Sequence, residues 1–257
     1  MVEGLDLFTE HFADHTAHYV LIGGTACDRH FSQRELPFRV TKDLDIILVV
    51  EALNDAFVKH FYEFIRAGEY VLAEVDGKKT FYRFIEPKAK GYPYMLELFS
   101  RHPEVLSTPP EDIHITDIET GEDVSSLSAI LMNDDYYNLT MEHSPLIDGL
   151  KVASEPCLVC LKTRAYFGNL ELKEKGVKIQ DDKIYKHKKD VLRLLSVINP
   201  AFRLPVPDSI RPDIEKFIAV MEAESEGIQQ SLKGMKIGAS PADLIEVMRN
   251  VFLPEQG

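Results

Sequence analysis

Cysteine is scarce in this chain: only Cys27, Cys157 and Cys160 occur in 257 residues. An odd, low count excludes a disulfide scaffold and suits a reducing compartment. Cys157 and Cys160 stand in C-x-x-C spacing, but no second cysteine or histidine pair lies at zinc-finger distance. Their segment reads as an apolar helix, so both are expected to be small buried hydrophobes. Long hydrophobic runs are missing as well. A stretch such as Ile46–Val50 is far too short to span a bilayer, so no membrane association is expected. Met1-Val2-Glu3-Gly4 leads into no basic-then-apolar segment, and the expected location is cytoplasmic. Positive charge is not in excess either. With 29 Lys and Arg against 42 Asp and Glu, the formal net charge is -13. That excludes a surface coated for wrapping nucleic acid, though not a local basic channel, because phosphate contacts act at short range in salt. No internal repeat or low-complexity segment stands out.

What remains is ordinary globular material: 45% hydrophobic residues supply a packed core, and the length fits one large domain or two small ones. The first half alternates. Apolar residues at helical spacing run through 5–17, a strand covers 19–22, and a short helix opens at Gly24-Thr25. A strand over 43–50 precedes an amphipathic helix over 52–67, which Gly68 is expected to end as a C-terminal glycine does. Strands at 70–75 and 80–85 flank Asp76-Gly77, a hairpin signal, and 94–99 and 113–118 read as further strands. From about Val124 helical periodicity takes over, at 125–137, 155–174, 183–198, 208–225 and 241–252. The expected fold class is α/β (α+β). A mixed-sheet domain over 1–122 is followed by a helical C-terminal domain, a bundle, over 123–257.

The chemistry-bearing residues cluster in the first half. Tyr19-Val20-Leu21-Ile22 runs into Gly23-Gly24-Thr25, a strand breaking into a glycine turn whose backbone N–H groups could approach a phosphate. Asp43 and Asp45 lie two apart on a strand, so both project to one face. Glu97 is a lone carboxylate inside the apolar strand Met95-Leu96-Glu97-Leu98-Phe99. Buried, it needs a partner: either it faces water at an edge, or it shares a site with the two aspartates. Converging carboxylates repel one another, and a Mg²⁺ ion sharing oxygen ligation with phosphate removes that conflict. In the second half Lys162 interrupts an apolar helix, and Asp190 on the next helix could hold it by an ion pair. Lysines crowd 173–189, reading either as a solvated face or as the rim of a phosphate site.

The order of strand, Gly-Gly, helix, Arg39-x-Thr41-x-Asp43-Leu44-Asp45, and a carboxylate on a third strand resembles the DNA-polymerase-β-type nucleotidyltransferases. The fuller spelling, with Gly149-Leu150-Lys151 through Glu155, Lys162 and Lys189-Asp190, resembles the AbiEii/MenT branch. Those are nucleotidyltransferase toxins of toxin–antitoxin and phage-defence systems. The resemblance implies a metal-dependent nucleotidyltransferase that moves an NMP from an NTP to an acceptor hydroxyl, with pyrophosphate released. Gly23, Gly24 and Thr25 would hold the triphosphate. Asp43, Asp45 and Glu97 would bind Mg²⁺ or Mn²⁺, and Glu97 would also orient or deprotonate the acceptor. Lys162 would neutralise phosphate charge, with Asp190 as its partner. It further implies RNA, tRNA ends among them, as acceptor, and a separately encoded antitoxin. Two alternatives stay open: a small-molecule acceptor such as an antibiotic, which the acidic charge suits, and a nucleotide-binding module without turnover. Gly168, Asn169 and Arg193, where the family often has arginine or an acid, motivate the latter.

Overall fold

The computed structural model describes residues 2–49, 52, 54–74, 81–99, 115–117 and 133–254. It is a mixed α/β protein. The chain divides into two units. The first holds residues up to Val124 together with Thr140–Ala153, and the second holds Ser125–Leu139 with Ser154 onward. This differs from a single cut at 122/123. Thr140–Ala153 belongs with the first unit because Ala153 N–H donates to the Leu21 carbonyl and Val152 bridges Leu21.

The first unit begins with α1 (Leu5–His11), which gives way to a short 3-10 turn (Ala13–His15) in place of one helix over 5–17. Then come β1 (Tyr19–Ile22), α2 (Gly23–Ser32), β2 (Asp43–Leu48), α3 (Asp55–Ala67), β3 (Val71–Glu74), β4 (Phe81–Ile85), β5 (Met95–Phe99) and β6 (Ile115–Asp117). The strands form one mixed sheet in the order β1-β2-β5-β4-β3-β6. β1 runs antiparallel to β2, whereas β2 and β5 run parallel with Asp43 opposite Met95 and Asp45 opposite Glu97. β3 and β4 pair antiparallel as the hairpin signal implies, while Asp76-Gly77 itself lies outside the described residues.

One face of this sheet is closed by aromatic side chains. Leu44, Ile46 and Leu48 of β2 and Leu96 and Leu98 of β5 are buried on it. Opposite them Phe8 and Phe12 of the N-terminal segment meet Phe64 of α3 at ring distances of 5.8 and 5.4 Å. Each such side chain contributes roughly 1.5–3 kcal/mol by leaving water, and well-oriented ring pairs add about 0.5–1.5 kcal/mol. α3 starts where Asn54 caps it, its side-chain oxygen accepting from Phe57 N–H at 2.9 Å. That is later than position 52, because the side-chain cap fixes the start.

Gly68 follows α3 for a reason other than the one the sequence suggests. Its φ is -78°, and the left-handed residue is Glu69 at φ 53°. A Cβ on Gly68 would lie 2.4 Å from the Tyr70 ring, so the glycine makes room for packing. A two-stranded hairpin, β7 (Leu146–Ile147) with β8 (Leu150–Lys151), completes the unit. Its turn residues Asp148 and Gly149 both have positive φ, as a type I′ turn requires.

In the second unit the described elements are helical. Of α4 (Asp134–Glu142), residues up to Leu139 belong to this unit. α5 (Glu155–Glu174), α6 (Asp181–Leu195), α7 (Arg211–Ala223), α8 (Ser225–Gly234) and α9 (Pro241–Phe252) follow. α5 is buried on all sides from Pro156 to Thr163 and again from Ala165 to Asn169, the pattern of a central helix. Cys157 and Cys160 lie inside it, buried, and burial pushes the Cys160 thiol well above its ordinary value. The stretch expected as one helix over 208–225 is α7 alone, and α8 begins after a break at Glu224. α9 opens with a reciprocal cap between Ser240 and Asp243. No helix among the described residues is long and apolar enough to cross a membrane.

Candidate functional site

The acid-bearing face of β2 is opposite the aromatic layer. Asp43, Asp45 and Ile47 share it, and Ile47 is buried while the two aspartates are half-buried. The face is therefore sealed at the C-terminal end of β2 and open at the end where the carboxylates stand.

The glycine turn fits against these acids. Ile22, the last residue of β1, is opposite Asp45 in the sheet, so Gly23 emerges directly beside that side chain. Gly23 has φ 69°, and a Cβ there would fall 1.6 Å from Asp45 Oδ2. Glycine is needed twice over, for the left-handed backbone and for the space that the carboxylate occupies. A Cβ on Gly24 would lie 2.7 Å from Thr41 Oγ1 and 3.3 Å from an Arg39 guanidinium nitrogen. Thr25, fully buried, donates its hydroxyl to the Asp43 carbonyl at 2.7 Å. That bond ties the first turn of α2 to the start of β2.

Ile22, the N-cap residue of α2, has no capping side chain, and no acid stands in the first turn of the helix. Its leading N–H groups and the helix dipole favour an anion, and Arg39 beside Gly24 adds positive charge at the same place. Arg39 is part of the motif read from the sequence, but its position over the glycine turn is a finding of the structure.

Glu97 has an ion pair of its own. Its register opposite Asp45 puts it on the acid face. Its Oε1, however, accepts two bonds from Arg83 of β4, from Nε at 2.8 Å and from Nη2 at 2.5 Å. Both donors use one oxygen, and Oε2 takes no part in the pair. The partner that a lone glutamate in an apolar strand demands is thus an arginine on the neighbouring strand. Arg83 was missed in the sequence, although it carries the same signal: a single charge within the apolar run Phe81-Tyr82-Arg83-Phe84-Ile85.

Among the described residues no group of three His, Cys, Asp or Glu side chains is placed to hold a metal ion. Nearest the glycine turn stand the carboxylates of Asp43 and Asp45, with Glu97 opposite Asp45 on the neighbouring strand. That still suits Mg²⁺ or Mn²⁺ shared with a triphosphate, since Mg²⁺ commonly takes one or two carboxylates and fills its shell with phosphate oxygens and water.

Lys162 and Asp190 lie in the second unit. Lys162 on α5 is 5% exposed and Asp190 on α6 is 0% exposed; Nζ donates to Oδ2 at 2.9 Å. Arg193, one turn further along α6, reaches the other oxygen, Oδ1, at 3.4 Å. Asp190 is therefore held between two cations. The lysine-rich stretch is not uniformly solvated. Lys188 is buried and paired with Glu224, and exposed Lys173 is bonded to Asp181.

His11, His15 and His18 read from the sequence as surface or packing residues, and in the structure His11 and His15 lie against His60 of α3. His11 and His60 stack at 3.9 Å, each facing the other's backbone carbonyl through Nε2, and His18 stacks on Phe57. Tyr62, Tyr136 and Tyr137 are buried.

Comparison with protein-family models, with curated proteins and with solved structures found no match to this chain.

Proposed function

We propose that this chain is a metal-dependent nucleotidyltransferase, similar to the AbiEii/MenT toxins, that moves an NMP from an NTP to an RNA hydroxyl. One observation carries the reading. Asp45 stands against Gly23 at the N-terminus of α2, where a side chain at position 23 would collide with it, and Asp43 shares its face of β2.

The division of labour follows from that geometry. Backbone N–H groups of Gly23, Gly24 and Thr25, with Arg39 alongside, bind the triphosphate and fix its position. Asp43 and Asp45 hold Mg²⁺ or Mn²⁺, which when bound offsets charge on the phosphates and acidifies the attacking hydroxyl. The acceptor oxygen attacks the α-phosphorus, the α–β phosphoanhydride bond breaks, and pyrophosphate leaves with the electron pair. The hydroxyl proton passes to a carboxylate of the acid face. Glu97 orients the acceptor through Oε2 while Arg83 fixes its other oxygen. Lys162, bonded to Asp190, is assigned a phosphate-neutralising role by the family resemblance alone. So are the acceptor class, the toxin role and a cognate antitoxin.

A second reading keeps the reaction and changes the acceptor to a small cation such as an antibiotic. The net charge of -13 favours it, since an acidic protein attracts cations.

The site is tested by following Mn²⁺ binding by electron paramagnetic resonance, with and without an NTP. The wild type should bind Mn²⁺ weakly alone and more tightly with NTP present. Asp43→Ala/Asp45→Ala should lose that enhancement while keeping its unfolding midpoint. Equal binding in both proteins would remove the acid face as the metal site.

A further inference from the structure

We propose that His11, His15 and His60 form an acid-sensitive latch, which holds the N-terminal segment, residues 5–18, on α3 and releases it when the pH falls. The inference is independent of the nucleotidyltransferase reading.

The rings join two parts of the chain. His11 ends α1, His15 ends the 3-10 turn, and His60 lies midway along α3. His60 touches both partners: its ring centre is 3.9 Å from that of His11, with the planes 12° apart, and 4.6 Å from that of His15. His18 extends the row, 5.2 Å from His15 and stacked on Phe57. All four histidines are half-buried.

Hydrogen bonding fixes where a proton can go. His11 Nε2 lies 3.1 Å from the His60 carbonyl, and His60 Nε2 lies 2.7 Å from the His11 carbonyl. A carbonyl only accepts, so each Nε2 carries a hydrogen and Nδ1 is the position left to take a proton. His15 Nδ1 is buried and has no hydrogen-bond partner among the described residues, so a proton there meets no acceptor.

Counter-charge is scarce. The charged groups acting on His11 are His60 and Glu63; those acting on His15 are His60, His18, Asp14 and His11. Glu63 Oε2 is 3.5 Å from His60 Nδ1 and offsets one positive charge there. Glu63 and Asp14 are exposed, so water and salt screen what they offer the other rings. A second proton, on His11 or His15, then sets like charges about 4–5 Å apart in a half-buried site, which favours opening by about 10-fold or more. Burial first, with the charge of His60 acting the same way, lowers the pKa of His11 and His15 below 6.5. The closed segment therefore binds protons less readily than the released one. Closure is complete above about pH 6.5 and is lost as the pH falls below it.

Release reaches the sheet. Phe8 and Phe12 leave with the segment, and their rings pack on Tyr19 at 5.3 and 6.2 Å. Tyr19 opens β1, and the His18 carbonyl before it accepts from Val49 N–H at 2.9 Å. Opening thus bares the aromatic face of the sheet and loosens the strand that leads into Gly23.

The test is amide hydrogen exchange resolved by residue, corrected for its intrinsic pH dependence, at pH 7.5 and 5.5. The reporters are the N–H groups of Phe12 and His15, bonded within the closed segment to the Phe8 and Phe12 carbonyls. In the wild type their protection should fall about 10-fold or more at pH 5.5, while that of Leu96 and Leu98 in β5 stays unchanged. His60→Gln keeps a side-chain N–H but takes no charge, and should abolish most of the fall. His15→Gln removes one ring of the row and should reduce it. Unchanged protection of the segment in the wild type would overturn the latch. A parallel loss at Leu96 and Leu98 would do so too, since it would mark global unfolding. So would an undiminished fall in His60→Gln or, should that variant be open already at pH 7.5, in His15→Gln.

Discussion

Replacing Gly23 with alanine should disturb the fold and the acid site together, and the two parts can be separated. At φ 69° an alanine costs about 1–2 kcal/mol in backbone strain alone. Its Cβ would sit 1.6 Å from Asp45 Oδ2 and 2.5 Å from Cγ. Carbon and oxygen need about 3.5 Å, so the carboxylate must retreat by about 2 Å. Overpacking of that kind costs about 1–3 kcal/mol more. In an Asp45→Ala background the oxygen and Cγ are gone. What remains is a contact of 2.9 Å to the Asp45 Cβ position, which a shift of a few tenths of an ångström relieves. Gly23→Ala should therefore cost about 2–5 kcal/mol alone and about 1–2 kcal/mol beside Asp45→Ala. The assay is urea unfolding by circular dichroism of the wild type, both single variants and the double. The predicted coupling is about 1–3 kcal/mol, with Asp45→Ala rescuing Gly23→Ala. Additive costs, within about 0.5 kcal/mol, would mean that Gly23 is not packed on that carboxylate. The acid site as described would then be wrong.

Other consequences are local. Burial, with His60 nearby, lowers the pKa of both His11 and His15 below the ordinary histidine value of 6.5. The unfolded chain then binds protons more readily than the folded one. The stability from these groups is complete above about pH 6.5 and is lost as pH falls below it toward the folded values. Urea midpoints at pH 7.5 and 5.5 should fall less in His11→Gln/His15→Gln than in the wild type, and equal falls would refute the cluster's role. Lys162→Met removes one of the cations that hold the fully buried Asp190 and should cost about 3–5 kcal/mol. In thermal melts Lys162→Met/Asp190→Leu should lose less than Lys162→Met, and a larger loss would contradict the pair's energetics. Gly68→Ala has an ordinary φ, so its collisions with the Tyr70 and Tyr92 rings set the cost, about 1–3 kcal/mol. An unchanged unfolding midpoint would show that both rings move aside freely.

Local signals in the sequence carry much of this fold. Alternating burial along Asp43–Leu48 and Met95–Phe99 is visible as polar residues between aliphatic ones, and α5 is legible as a long apolar run ending at polar Lys173-Glu174. What escaped depends on contacts distant in sequence. The Gly68 conformation follows from the Tyr70 and Tyr92 rings. The small hairpin at Leu146–Lys151 has a local signal, Asp148-Gly149, whose glycine also opens the motif running to Glu155. The break between α7 and α8 has neither proline nor glycine at Glu224 to announce it.

The same distinction runs through the site. That Asp43 and Asp45 share a face follows from a period of two, and Gly23 was expected to let something close approach. That the close neighbour is Asp45 itself follows only from Ile22 pairing opposite it. A lone Glu97 in an apolar strand needs a partner, and strand order selects it. β4 lies between β5 and β3, which brings Arg83 alongside. The Lys162–Asp190 pair was suggested by two isolated charges on successive helices, whereas Arg193 on the second carboxylate oxygen was not.

The central claim is tested most directly by incubating the protein and Mg²⁺ with each α-³²P-labelled NTP and total cellular RNA. Asp43→Ala/Asp45→Ala serves as control. The account predicts that label from at least one NTP moves onto RNA with release of pyrophosphate, and that the control, folded to the same midpoint, transfers none. Undiminished transfer by the control, or no transfer from any NTP to any RNA by the wild type, would contradict it.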